Sequence, residues 1–189
     1  DEEVYPVRTT GESKMTAGEG WHTDVSCDPD PIAASLLYMH QAPAGGGGDT
    51  VYASMVECYE RLSPAIKALA EGLTAVHDGA FPYRQIYGIE PEAGQQFNRT
   101  VHPMVIRHPV TGRKLLWANR AFTTRINGLS HVENRHVLEL LFQLDICYVM
   151  GQKFLKQPIK HYTLLLKILI YETLLLSQCL VTEHLDYLI

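Results

Sequence analysis

Residues 101–119 read VHPMVIRHPVTGRKLLWAN. Apolar and polar side chains alternate over residues 101–107, the period of a half-buried strand. Pro109-Val110-Thr111-Gly112 supplies turn chemistry, and KLLWAN at residues 114–119 returns as a second strand. Upstream, LTAVH at residues 73–77 is strand-like and follows Gly72, a helix stop. Ser54 with Glu57 forms a capping-box pattern that opens a short helix through Leu62. Ser63-Pro64 restarts it, serine as cap and proline in the first helical position. Farther upstream, residues 50–52 open a strand, residues 32–40 (IAASLLYMH) have the length of a buried strand, and residues 21–26 (WHTDVS) form a short strand stopped by Asp28-Pro29-Asp30-Pro31. Downstream, Ser130 and Glu133 repeat the capping box and open a helix to about Asp145. Residues 78–100 show no period and read as a long surface excursion, the kind of segment that covers sites. The tally is mostly β with flanking helices.

A chain of 189 residues suits one domain and can bury a core. A formal net charge of -5 offers no basic face for nucleic acid. Cys27, Cys58, Cys147 and Cys179 contain no CxxC pair, so reduced thiols and a cytoplasmic location are expected. The first residues, Asp1-Glu2-Glu3-Val4, lack the apolar run of a signal peptide and read as the middle of something longer. Residues 163–182 are nearly all apolar and about long enough to span a bilayer. Lys167 and Glu172 lie within them, and charges at that depth cost roughly 2.5–3.5 kcal/mol each, so no membrane partner is expected.

His22 and Asp24 are two residues apart. On a strand, that spacing turns both side chains to one face, where an imidazole nitrogen and a carboxylate oxygen can share an ion. With a distant second histidine they make a two-His-one-carboxylate triad, which leaves coordination positions open for oxygen chemistry. A lone HxD is weak evidence, since a hydrogen-bonded surface pair gives the same pattern.

The company it keeps is more specific. WHTDVS at residues 21–26, GGDT at 47–50, LSP at 62–64, HDG at 77–79, HPMVIRHPVTGRKLLWAN at 102–119 and FTTRI at 122–126 follow one another in order. Over roughly residues 15–143 the chain resembles the TauD/TfdA family of Fe(II)- and 2-oxoglutarate-dependent dioxygenases. The resemblance implies a double-stranded β-helix, or jelly roll, incomplete in this chain. It implies Fe(2+) held by His22 and Asp24, with 2-oxoglutarate as cosubstrate. It implies Thr50 as a hydroxyl donor to the distal 2-oxoglutarate carboxylate. Phe81 and Phe122 lie where such enzymes line the substrate pocket, and core packing explains either phenylalanine equally well. The implied reaction is hydroxylation of a small organic molecule, sulfonate- or carboxylate-type, with release of succinate and CO2. Gly18 replaces an amide side chain expected in taurine-type enzymes, which argues against taurine itself.

The resemblance ends near Leu144. The family's Trp-Asp-Asn-Arg stretch, distal iron-binding histidine and anchoring arginine are not recognisable, and no arginine follows Arg135. His161, before Tyr162, is the tail's nearest counterpart of the distal ligand, ahead of His184, yet it arrives early. The expected organisation is a partial dioxygenase domain over residues 1–144 and an atypical tail over 145–189, arising from a frameshift, a retained intron or a splice variant. The alternative is an inactive or truncated member lacking the third ligand and the arginine. His77 and His102 read as polar strand ends, and His131 and His136 as helix-surface residues. Homo-oligomerisation stays open.

Overall fold

The computed structural model describes residues 20–32, 49–151 and 176–181. Among these, seven strands and four helices follow in order: β1 Asp49–Ser54, α1 Met55–Arg61, α2 Pro64–Glu71, β2 Thr74–Asp78, α3 Phe81–Gln85, β3 Arg99–Pro103, β4 Val105–Arg107, β5 Lys114–Leu116, β6 Thr123–Ile126, α4 His131–Gly151 and β7 Leu176–Val181. They make an antiparallel three-stranded sheet ordered β3-β2-β6 and two antiparallel pairs, β1-β7 and β4-β5.

The local signals are realised where their partners are local. Ser54 caps α1, accepting from the Glu57 amide at 3.3 Å. The Glu57 carboxylate does not reach back as a capping box requires, because it pairs with Arg113 at 3.2 Å. Ser63 caps α2 with Pro64 inside the first turn, and Gly72 ends the helix. The second capping box closes in both directions. The Ser130 amide donates to Glu133 Oε2 at 2.8 Å, and the Glu133 amide to Ser130 Oγ at 3.4 Å. Replacing Ser130 by alanine is expected to cost about 1 kcal/mol, read as a lower urea midpoint. An unchanged midpoint would remove the cap from the helix's stability.

The hairpin departs from its simplest reading. The expected strand over residues 101–107 is two strands in different sheets, broken at Met104. Pro103 has no amide to donate, and Met104 is fully buried, with its own amide on Leu73 O at 3.0 Å and its carbonyl on the Trp117 amide at 2.7 Å. The chain thus leaves one sheet and enters the other through this residue. The returning strand pairs only over Lys114–Leu116, and Trp117, Ala118 and Asn119 continue as buried irregular backbone. The turn between them is built by His108, whose Nδ1 accepts from the Val110 and Thr111 amides at 3.2 and 3.1 Å. Gly112 closes the turn at φ +70°, a conformation that side chains with a Cβ rarely adopt.

Two further expectations change. The excursion over residues 78–100 contains α3, entered through Pro82 in its first turn. The last helix runs on to Gly151 rather than stopping near Asp145. Residues 33–40, expected as a strand, lie outside the described residues. Of the apolar stretch 163–182, the described part is Leu176–Val181, which pairs with β1. No helix among the described residues is long and apolar enough to cross a membrane.

The core lies where α1 and α4 meet the hairpin and the three-stranded sheet. Met55, Cys58, Leu62, Met104, Leu115, Leu116, Trp117, Ile126, Leu141 and Phe142 form one buried cluster. On β2, Ala75, Val76 and His77 are buried in succession, which plain alternation forbids. A register shift between Val76 and His77 in the pairing with β6 accounts for it, since a bulge re-aims the following side chain. That shift turns His77 into the interior.

Candidate metal centre

His22 and Asp24 do meet, although not by the route expected. Residues 21–26 form no strand: His22 makes a single bridge and residues 24–27 turn back. The Ser26 amide donates to Thr23 O at 3.3 Å and the Asp28 amide to Val25 O at 2.9 Å. Val25 sits at φ 44°, a left-handed backbone costly for a β-branched residue, about 1–3 kcal/mol. The turn, rather than strand alternation, carries the Asp24 carboxylate back to the imidazole.

The resulting geometry suits an ion. His22 Nδ1 faces Gly20 O at 2.9 Å. A carbonyl can only accept, so Nδ1 carries the proton and Nε2 keeps its lone pair. Nε2 stands 3.3 Å from Asp24 Oδ1. Two donors at right angles, each about 2.1 Å from an octahedral ion, lie roughly 3.0 Å apart. A metal-binding imidazole ordinarily gives its other ring proton to a carbonyl or carboxylate, the part Gly20 O plays here. The His22 side chain is 14% exposed and that of Asp24 34%, so an ion can reach both. The two residues therefore fit two adjacent positions of one cation. Among the described residues no third His, Cys, Asp or Glu joins them. His161 and His184 lie outside the described residues.

Of the other expected site residues, Thr50 lies on β1 opposite Leu180, and its side chain is outside the described set. Phe81 is half-buried and lines a cavity of about 450 Å³, together with Ile86, Arg120, Thr123, Leu138 and Phe142. Arg120 there is held by Glu139 at 3.2 and 3.3 Å and lies over the Phe142 ring. Phe122 is half-buried and does not line that cavity; its amide donates to Asn119 Oδ1 at 3.0 Å. His131 and His136 are exposed on α4. Cys27 and Cys58 are buried thiols outside any disulfide among the described residues, and burial with the neighbouring Asp28 raises the Cys27 thiol to about 11.

Behind the turn lies a polar cluster that the sequence reading did not single out. Ser26 and His77 are fully buried, and Asn119 and Thr123 are each 2% exposed. Ser26 Oγ accepts from Asn119 Nδ2 at 2.9 Å and lies 3.1 Å from His77 Nδ1. His77 Nε2 lies 3.4 Å from Thr123 Oγ1, which accepts from the Asn119 amide at 3.0 Å. Burial, then the charge of neighbouring His102, lowers the His77 pKa from 6.5 to about 4, so this imidazole is neutral. His102 itself bonds Asp28 O through Nε2 at 2.9 Å. The available signal was that Ser26, His77, Asn119 and Thr123 all fall inside the ordered motif runs, beside residues with assignable chemistry.

Comparison with known proteins bears on this arrangement. The model of the "Taurine catabolism dioxygenase TauD, TfdA family" matches residues 2–145. The chain is 39% identical over 125 residues to the alpha-ketoglutarate-dependent dioxygenase cnsM of Penicillium expansum, covering 65% of this chain and 35% of that protein. It is 33% identical over 132 residues to the alpha-ketoglutarate-dependent sulfonate dioxygenase of Saccharomyces cerevisiae, covering 68% and 31%. A taurine dioxygenase structure from Burkholderia xenovorans aligns with a TM-score of 0.57 at 32% identity, covering 70% of this chain and 42% of that one. AAD-2 in complex with Mn(II) and N-oxalylglycine aligns with a TM-score of 0.59 at 30% identity, covering 66% and 50%. The chain spans about a third of the length of the two curated relatives.

Proposed function

Because the chain belongs to the TauD/TfdA family of 2-oxoglutarate-dependent dioxygenases, we propose that it carries the HxD half of an Fe(II) centre hydroxylating a small organic substrate, sulfonate- or carboxylate-type. The observation that supports this best is the His22–Asp24 pair, with Nε2 and Oδ1 3.3 Å apart and the opposite ring nitrogen tied to Gly20 O. The family uses Fe(2+) and 2-oxoglutarate, which with dioxygen as oxidant would supply C–H hydroxylation, one oxygen atom going to the substrate and the other to succinate, with loss of CO2. In this chain His22 Nε2 and the Asp24 carboxylate would hold the ion. The Thr50 hydroxyl would donate to the distal carboxylate of 2-oxoglutarate, a charge-assisted bond stronger than a neutral one. The cavity beside Phe81 would receive the substrate, and Phe122, anchored through its amide to Asn119, would shape its approach. Holding the C–H bond in one orientation is the protein's main contribution to such a reaction. In this reading residues 1–144 are a partial dioxygenase domain whose described strands belong to an incomplete jelly roll, and residues 145–189 are an atypical tail.

The sulfonate class is supported by the yeast relative and by the alpha-ketoglutarate-dependent sulfate ester dioxygenase of Pseudomonas putida, 33% identical over 130 residues. A second reading, an inactive or truncated member, is favoured by the content of residues 136–189, which hold no arginine and none of the family's motifs, so that these residues supply no guanidinium to anchor a 2-oxo acid. Anaerobic addition of Fe(II) and 2-oxoglutarate discriminates between them. A visible charge-transfer band from the chelate is expected for the first reading. Its absence, with the protein folded, overturns that reading and leaves the second.

A further inference from the structure

We propose that Ser26, Asn119 and His77 are positioning residues for the metal centre: a buried clamp that holds the turn after His22 so that Asp24 stays within chelating distance. The inference rests on the reading of His22 and Asp24 as metal ligands.

Two independent observations meet at this turn. The first is Val25, a β-branched residue held at φ 44° between Asp24 and Ser26. Such a backbone persists only where its surroundings over-determine it. The second is that the segment from Asn119 to Thr123 grips the turn on both sides. Upstream, the Ala121 amide donates to Trp21 O at 3.2 Å, directly before His22. Downstream, Asn119 Nδ2 donates to Ser26 Oγ at 2.9 Å, two residues after Asp24. The metal-binding pair lies between the two attachment points.

The clamp is itself rigid. Asn119 Oδ1 is engaged by the Phe122 amide at 3.0 Å, which fixes the amide orientation and aims Nδ2 at Ser26. Asn119 O and the Thr123 amide close the same segment at 3.0 Å. His77 presses on Ser26 Oγ from β2 and contacts Thr123 on its other nitrogen. With Ser26 and His77 fully buried, no water competes for these bonds, and a lost partner leaves the others unsatisfied. The pieces come from β2, from the turn and from the segment leading into β6, 51 and 93 residues away from Ser26. Tertiary structure rather than local preference therefore sets the reach of Asp24.

Mn(II) alone is the probe, titrated into the full chain and followed by loss of the free-ion EPR signal. The parent is expected to bind. Ser26→Ala, which deletes the hydroxyl and almost no volume, is expected to weaken Mn(II) binding roughly 10- to 100-fold, the usual cost of disturbing an outer-shell partner. Leu115→Val, a core deletion on β5 away from the turn, lowers the melting temperature while keeping affinity within twofold, which separates positioning from general destabilisation. Asn119→Ser, too short to reach Ser26, repeats the loss and carries the test if the alanine variant fails to fold. If Ser26→Ala and Asn119→Ser bind as Leu115→Val does, the clamp is overturned while the metal site stands. If the folded parent takes up no Mn(II), the metal site and the clamp fall together.

Discussion

Alanine at His22 or at Asp24 is expected to reduce Mn(II) or Fe(II) affinity by more than about 100-fold and to erase the 2-oxoglutarate chelate band. The bound rests on comparison with milder changes: disturbing a residue that merely orients a ligand already costs about 10- to 100-fold, and removing the ligand must cost more. The two substitutions act differently. His22→Ala deletes the nitrogen whose tautomer Gly20 O fixes. Asp24→Ala deletes the anionic donor that neutralises part of the ion's charge, and Asp24→Asn tests charge at constant shape. Asp24→Glu should not rescue, because an added methylene moves the carboxylate away from a separation of 3.3 Å set by the turn. The His22 side chain is only 14% exposed and bonds Gly20 O, so His22→Ala is expected to lower the melting temperature as well, and affinities are compared per folded protein. Affinity unchanged in either alanine variant would remove that residue from the centre.

How far this site could be read in advance depends on where each determinant lies. Spacing suggested His22 and Asp24 as a pair and the ordered motifs around them made the pair specific, and neither depends on backbone conformation: i and i+2 can converge on a strand face or across a turn. The conformation was misread because Val25, Trp21 and Thr23 all favour strands. What overrides that preference is contact with Asn119 and Ala121, far along the chain. The helix caps at Ser54, Ser63 and Ser130 were legible because donor and acceptor lie three residues apart. The break at Met104 was not, since it follows from two distant partners, Leu73 O taking the Met104 amide and the Trp117 amide taking the Met104 carbonyl. His77 illustrates the same limit. Its place near the end of a strand was readable, but its burial depends on a register shift against β6, which periodicity cannot reveal. The family resemblance reached further than pattern, because ordered motifs carry tertiary information that local propensity lacks.

That burial makes His77 the expected source of an acid-sensitive step in stability. Its pKa falls from 6.5 in the open chain to about 4 when folded, first through burial and then through His102. Below pH 6.5 the unfolded chain takes up a proton that the folded protein refuses until about pH 4. Over this window the unfolded state binds more protons, so stability rises with pH. The contribution is complete above pH 6.5, declines as pH falls, and levels off below about 4. At about 1.4 kcal/mol per unit, a shift of this size corresponds to roughly 3 kcal/mol. The carboxylates act in a separate range. Glu133 is lowered by its bonds to Ser130 and Glu139 by Arg120, so the stability they contribute is lost only as pH drops below the ordinary value of 4.5. Denaturant melts at half-unit steps from pH 7.5 to 4 should therefore show a decline starting well above the carboxylate range. His77→Gln cannot be charged, and whatever its stability at pH 7.5, it should lose most of the slope between pH 6.5 and 4.5. Parallel slopes in parent and variant would mean that His77 takes up its proton as readily in the fold as outside it, and that the cluster around Ser26 and Thr123 does not exclude the charged form.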